Sequence, residues 1–325
     1  MSYFVLDNLP GRTALASGKE YLFFSGYAYL GIQHTAEFKT LVKEGLDKYG
    51  WLFPSSRISN TRIGLFEECE NLLSSITKNE DTVLVSSGYT AGRLATAMFE
   101  HDIVNLRPSH PAIKRDNADK GKGIYAVDAI NILTAEVTDI NKIHTVTPLN
   151  TLMIDDSHGI GLTGSHGEGA SSYLEKKEGI GYVFTYSLSK AWGINAGAIS
   201  CNAQMAAKYR TMPAYTGATA PSQAQLYAFI KGQHIYAAQR EKLRKNILYF
   251  KAVVADLPGV INESTLPVFV LPARINEDVL AAKNIIISSF AYPDPSGTKI
   301  QRVVLNALHT KSDLDYLAEC LRQMW

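Results

Sequence analysis

Ser187-Leu188-Ser189-Lys190 follows a short apolar run and precedes Ala191-Trp192-Gly193. A lysine so placed is either an ordinary solvated charge, as most lysines are, or an amine that forms a Schiff base while its neighbouring serines bind a phosphate. Asp155, at the end of an earlier apolar run, poses a similar choice. It can cap the turn that follows, or it can meet a ring nitrogen whose protonated form a buried carboxylate favours. Ser86-Ser87-Gly88-Tyr89 stands where an apolar run gives way to a helical pattern. The free backbone N–H groups of a helix start are a ready anion site. Amine, carboxylate and phosphate cradle are the parts that pyridoxal phosphate (PLP) needs, because that coenzyme is an electron sink only while its pyridinium nitrogen stays protonated.

Other motifs point less far. Gly159-Ile160-Gly161-Leu162-Thr163-Gly164 matches the dinucleotide pattern G-x-G-x-x-G. That fingerprint leaves its strand directly into the glycine turn. Here Asp155-Asp156-Ser157-His158 intervenes and would set two carboxylates where a pyrophosphate approaches. His158 and His166 fit no zinc spacing, so no metal is expected. There is no G-x-x-x-x-G-K-[ST] and no G-x-S-x-G.

The elements that must position these residues follow from periodicity. Phe38, Leu41, Val42 and Leu46 predict a helix over 35–49, with Thr35 as its cap and Gly50 as its stop. Leu65, Cys69, Leu72, Leu73 and Ile76 predict another over 64–76. Thr82–Val85, Thr151–Ile154, Gly181–Thr185 and Ala196–Ser200 read as short buried strands, and a helix is expected from Thr90 to Glu100. Apolar strands with polar residues at their C-terminal ends predict a mostly parallel sheet with ligands at those ends. A long helix is expected from Ser222 to about Leu257, with Pro221 suited to its first turn and Gly232 as a weak point. Strands are expected at Val268–Leu271, Ile285–Ser288 and Arg302–Leu305. The last helix begins near Thr310, capped by Thr310 and Asp313, with Leu314, Leu317 and Leu321 as its buried stripe.

Composition bounds the function classes. The chain has 325 residues, 46% of them hydrophobic and 19% charged, which suffices for a sizeable core. Lys plus Arg number 32 and Asp plus Glu 31, a net charge of +1. So even a balance argues against nucleic acid or an anionic membrane as the main partner. The 3 cysteines, Cys69, Cys201 and Cys320, suit a reducing compartment and make no disulfide framework. No apolar run approaches a membrane span, and the start carries no secretory pattern. A cytoplasmic location is expected.

Across nearly the whole chain the sequence resembles fold-type I PLP enzymes, and among them the α-oxoamine synthases: 8-amino-7-oxononanoate synthase, glycine C-acetyltransferase and serine palmitoyltransferase. Phe24-Ser-Gly-Tyr-Ala-Tyr-Leu-Gly31 is similar to the family's F-x-S-N-D-Y-L-G, and Ser56-Ser-Arg-Ile-Ser-Asn60 to its G-S-R-x-x-x-G. Ser87-Gly88-Tyr89 falls on S-G-[FY], Ser109-His110 on [NS]-H-A-S, Asp155-Asp156-Ser157-His158-Gly159 on D-[DE]-[AS]-H-[GS], and Ser187–Lys190 on [TS]-x-[SG]-K. The resemblance implies that Lys190 carries the cofactor, that Asp155 meets its ring nitrogen and His158 its 3′-oxygen, and that His110 stacks on the ring. It implies phosphate contacts from Ser87, Gly88, Tyr89, Ser187 and Ser189, and from Thr216 to the phosphate of a neighbouring subunit, hence a homodimer with a shared site. Arg302 falls on the arginine that holds the amino-acid carboxylate. Tyr27 and Ala28 replace the Asn-Asp before Y-L-G, where the Asn helps hold that carboxylate. Phe290 stands where the family often has arginine, Gly92 replaces an asparagine, and the family's glutamate is carried to Glu136.

The expected architecture is an α/β fold-type I transferase: an N-terminal arm (1–35), a large PLP-binding domain with a mostly parallel sheet (36–225), and a long connecting helix with a small C-terminal α/β domain (226–325). The expected reaction is decarboxylative condensation of an amino acid with an acyl-CoA thioester. An aminotransferase on the same fold is the alternative, and a catalytically silent dimer subunit is a third reading, opposed by the presence together of Lys190 and Asp155.

Overall fold

The computed structural model describes residues 4–99, 102–106, 109–115, 122–262, 264–292, 294 and 296–324. They form two compact units, one of residues 35–130 and 137–236, the other of 1–34, 131–136 and 237–325. The chain opens with β1 (Thr13–Ala16), β2 (Lys19–Phe24), α1 (Ala36–Tyr49) and α2 (Leu65–Thr77). Then come β3 (Asp81–Val85), α3 (Gly88–Ala97), β4 (Ile103–Asn105), β5 (Ile124–Asp128) and a short pair, β6 (Ile130–Asn131) with β7 (Glu136–Val137). β8 (Thr151–Asp155), β9 (Gly181–Ser187) and β10 (Gly197–Cys201) follow, then α4 (Ala203–Thr211), α5 (Pro213–Thr216), α6 (Gln223–Lys231) and α7 (Gln233–Val253). The C-terminal part holds β11 (Val268–Val270), α8 (Glu277–Ala282), β12 (Ile285–Phe290), β13 (Ile300–Val304) and α9 (Lys311–Arg322).

The larger unit is built on a sheet ordered β3-β10-β9-β8-β5-β4. Strands β9, β8, β5 and β4 pair in parallel, and β10 alone runs against both its neighbours. The mostly parallel sheet expected from the apolar runs is therefore present. Every residue of β8 is buried, as suits a strand covered on both faces. Val83, Leu94, Ile103, Ala126, Met153, Val183 and Ile199 form its core. Because β5, β8 and β9 run in parallel, their C-terminal ends lie side by side, with Asp128 opposite Asp155 and Asp155 opposite Thr185.

The helices hold some surprises. Thr35 occupies the cap position of α1, yet its side chain makes no capping bond. Leu46 is exposed, and Gly45 instead faces α6, where a Cβ would come 2.8 Å from the Ala224 carbonyl. The long helix expected over 222–257 is two, α6 and α7, divided at Gly232. The compact units change at 236/237, within α7, rather than at 225/226. Helix α3 ends at Ala97, while the expected end at Glu100 lies outside the described residues.

The second sheet is ordered β1-β2-β12-β13-β11. Residues 1–35, expected as an arm, thus supply two of its strands. β2 runs parallel to β12, with Leu22 opposite Ile285 and Phe24 opposite Ile287. Thr310 and Asp313 form the expected capping box of α9, and Asp313 also receives both arms of Arg12, at 2.7 and 2.6 Å. Leu314, Leu317 and Leu321 are fully buried, as their spacing predicts.

Candidate active site

Lys190 stands just beyond β9, and its Nζ shares a hydrogen bond with His158 Nε2 at 2.7 Å. Burial pulls the lysine down to about 8, against the opposing pull of Asp155 and Asp128. Its amine is thus far closer to neutrality at physiological pH than a surface lysine's. Asp155 closes β8, is buried, and accepts from the Ser157 N–H at 3.0 Å. His110 takes a bond from the Ala112 N–H on Nδ1 at 3.2 Å. Burial holds its pKa below the ordinary value, with Asp155 opposing and Lys190 assisting. The structure therefore brings Lys190, His158, Asp155 and His110 into one electrostatic cluster at the strand ends.

The serines lie on the same rim. Ser87 caps α3, accepting from the Thr90 N–H at 3.1 Å. Gly88 opens the helix against the end of β9, where a Cβ would come 2.4 Å from Cβ of Ser187, so only glycine lets the turn approach so closely. Ser187 and Ser189 share a hydrogen bond at 3.0 Å. The first-turn N–H groups of Gly88 and Tyr89 have no partner within the helix and face outward from its start. Tyr89 is more than half exposed. Thr216 ends α5; its hydroxyl donates weakly to Pro213 and its carbonyl accepts from Ser56, and neither bond reaches the Lys190 cluster.

These residues suit PLP in kind. They offer an amine of lowered basicity, a buried carboxylate, two imidazoles, and a serine-rich helix start for a phosphate. Thr185, beside Asp155 in register, keeps a buried hydroxyl without a protein partner among the described residues. The G-x-G-x-x-G run serves another purpose. It is a loop wrapped on a buried carboxyl rather than a strand–turn–helix. Asp156 accepts from the Ala170 N–H at 2.7 Å, and its backbone carbonyl takes bonds from Gly159 and Ile160. Burial pushes the Asp156 carboxyl well above the usual range. No cluster of metal ligands occurs among the described residues.

One member of the cluster escaped the sequence reading. Asp128 closes β5, and both its oxygens accept the His110 N–H, at 3.2 and 3.0 Å. The signal was available, since it is an acid at a strand end like Asp155, but Ala129 and Ile130 continue the apolar run and hide that end. Glu136, to which the glutamate was carried, is exposed on β7.

The residues assigned to the substrate carboxylate belong to the other unit. Arg302 lies in β13 and is buried. Its guanidinium donates to the Ile132 carbonyl and to Ser288 Oγ, each at 3.3 Å, and stacks 4.9 Å from the Phe290 ring centroid. Its Nε has no partner among the described residues, and no carboxylate contributes to its electrostatics; burial lowers its pKa and buried Tyr29 opposes this. A buried guanidinium without an acidic partner is a costly arrangement that an incoming carboxylate would relieve. Tyr27 is half exposed, and its carbonyl accepts from the Tyr29 N–H.

A cavity of about 390 Å³ in the larger unit contains none of these residues. Phe53, Phe66 and Tyr215 line it, and its charges pair internally: Arg57 with Glu70 at 3.0 Å, and Arg210 with Glu70 at 3.0 Å and Asp81 at 2.6 Å.

Comparison with known proteins follows the same lines. The family model for aminotransferase class I and II matches residues 133–321. An 8-amino-7-oxononanoate synthase of Lysinibacillus sphaericus is 23% identical over 354 residues, covering 95% of this chain and 90% of that protein. One from Photorhabdus laumondii is 29% identical over 214 residues, covering 62% and 55%. Among solved structures, Sphingomonas wittichii serine palmitoyltransferase superposes with a TM-score of 0.81 at 17% identity, over 99% of this chain and 91% of the other. The Francisella tularensis 8-amino-7-oxononanoate synthase gives 0.72 at 21% identity, over 94% and 96%. The likeness establishes the fold-type I α/β architecture.

Proposed function

We propose that this chain, which belongs to the aminotransferase class I and II family, is a PLP-dependent acyltransferase that condenses an amino acid with an acyl-CoA thioester and releases carbon dioxide. The observation that carries the reading is the Lys190–His158 pair, at 2.7 Å, set beside Asp155 at the ends of parallel strands. Relatives matched along nearly the whole chain are 8-amino-7-oxononanoate synthases, and this directs the reading to condensation rather than transamination.

Lys190 would hold PLP covalently, Asp155 its ring nitrogen, His158 its 3′-oxygen and His110 one ring face. Ser87, Gly88, Tyr89, Ser187 and Ser189 would hold its phosphate. Bound there, the coenzyme supplies an electron sink for charge developing at the amino-acid Cα. Lys190, with a basicity lowered to about 8, is suited to take the Cα proton near neutral pH. His158, 2.7 Å from that amine, fixes its direction. Asp155 keeps a proton at the atom it faces by its negative charge. Arg302 grips the substrate carboxylate, Phe290 holds the guanidinium plane from one face, and Tyr27 is assigned to the same carboxylate. The condensation joins Cα to the thioester carbonyl carbon, expels the thiol, and loses the carboxylate as carbon dioxide.

We read the protein as a cytoplasmic homodimer. Cys69, Cys201 and Cys320 are free and buried, which suits a reducing compartment. Trp51, Leu52 and Ile58 expose 71%, 55% and 61% of their surface near one stretch of chain, apolar area of the kind a partner covers. Thr216 would reach the partner's phosphate. No helix among the described residues is long and apolar enough to cross a membrane.

The test is incubation with carboxyl-labelled amino acids, with and without acyl-CoA. Thiol and labelled carbon dioxide released in equal amounts, only when both substrates are present, is the expected result. Keto acid formed from the amino acid alone would overturn the condensation reading and favour an aminotransferase.

A further inference from the structure

We propose that Asp128 is a positioning residue that ties the turn bearing His110 to the end of β5 and supports the charge on Lys190. This rests on the reading of Lys190 as the reactive amine.

Two strand-end side chains, Asp128 and Asn105, bond the backbone of the turn. Both carboxylate oxygens of Asp128 receive the His110 N–H. Further along, Asn105 at the end of β4 accepts from the Arg115 N–H at 2.9 Å and donates to the Ile113 carbonyl at 3.3 Å. Between these anchors His110 folds back on its own turn through the Ala112 N–H. Loss of the Asp128 end removes the bond at the histidine's own N–H and leaves the Asn105 bonds at the far side of the turn.

The same carboxylate acts on Lys190 through space. β5 and β8 are neighbours, so their terminal acids Asp128 and Asp155 lie one strand spacing apart, roughly 5 Å. The groups facing Asp128 are Asp155 from β8, Lys190 from beyond β9, and the backbone N–H of His110. Two adjacent acids resist joint ionisation. Burial and Asp155 push Asp128 up to about 7, and the His110 N–H and Lys190 hold it back. Above that pH Asp128 is ionised and favours the ammonium form of Lys190; below it Asp128 is neutral and that support is withdrawn.

The experiment compares Asp128→Asn and Asp128→Ala in the full chain. Asparagine keeps one acceptor oxygen and loses the charge; alanine loses both. The first readout is amide hydrogen exchange at residues 110–115. The second is the pH midpoint for reaction of Lys190 with trinitrobenzenesulfonate, read by peptide mass spectrometry in the cofactor-free protein. Asp128→Ala should speed exchange in the turn at least ~10-fold, while Asp128→Asn keeps it within ~3-fold of the parent. Both should move the Lys190 midpoint down by ~0.5–1 in pH. Should alanine not fold, Asp128→Ser replaces it. Unchanged exchange in the alanine or serine variant, or an unmoved midpoint in either folded variant, overturns the proposal. Failure of the parent protein to take up PLP at Lys190 would instead remove the cofactor reading, and the two cofactor-free readouts would still decide the role of Asp128.

Discussion

Three buried cationic or basic groups divide their labour by what faces them. Lys190 is buried beside two strand-end acids and an imidazole; burial lowers its basicity to about 8, and the acids hold that fall in check. Arg302 faces carbonyl, hydroxyl and aromatic ring but no acid among the described residues, and this leaves its charge for a ligand. His309 has its ring fully spent: one nitrogen receives the Asn306 N–H at 3.0 Å, the other donates to the Phe23 carbonyl at 3.0 Å, and its face stacks on Phe24. It is a structural residue, and burial holds its pKa down to about 4. The sign of its effect on stability follows. Above the ordinary value of 6.5 the ring is neutral in both folded and unfolded chains, and as pH falls toward 4 the unfolded chain gains a proton that the folded chain refuses. About 3 kcal/mol of stability should be lost across that window. Urea unfolding at several pH values should show His309→Gln less stable at pH 7 but with a shallower acid decline than the parent. Parallel declines in the two proteins would contradict this role.

At the scale of elements, strands that end in polar residues were legible, and with them most of the candidate site. Asp155, His158, Ser187 and Lys190 follow apolar runs that stop abruptly, so strand and site announce each other. Asp128 was not legible, because β5 runs on into Ala129 and Ile130, and the polar stretch before it gives β4 and β5 little contrast. β1 and β2 were missed for a different reason: β2 gains its place only by pairing with β12, far along the chain. The loop after β8 is rich in glycine because glycine also serves close packing. Gly169 has φ of +69°, and a Cβ there would lie 1.9 Å from Asp156 Oδ2. Gly179 has φ of +78° with nothing within 4 Å. Gly179→Ala should therefore cost only the left-handed backbone, about 1–2 kcal/mol. Gly169→Ala should cost several times more or abolish folding, since the carboxyl it meets is itself fully enclosed. Thermal unfolding of the two variants decides this, and equal losses would sink the argument that the loop is built on Asp156.

For the whole molecule, the site assigned here draws on residues far apart in the chain, and Thr216 is proposed to complete a partner's site rather than its own. Mixing inactive Lys190→Ala chains with an inactive Thr216→Ala variant should then restore part of the activity, because one site of each mixed dimer carries both intact residues. No recovery after verified subunit exchange would contradict a shared site. Everything rests, however, on a lysine that carries the coenzyme. The direct measurement is borohydride reduction of the protein loaded with PLP, followed by peptide mapping of the adduct. The account predicts one phosphopyridoxyl group per chain, on Lys190. An adduct on another lysine, or none, would contradict it.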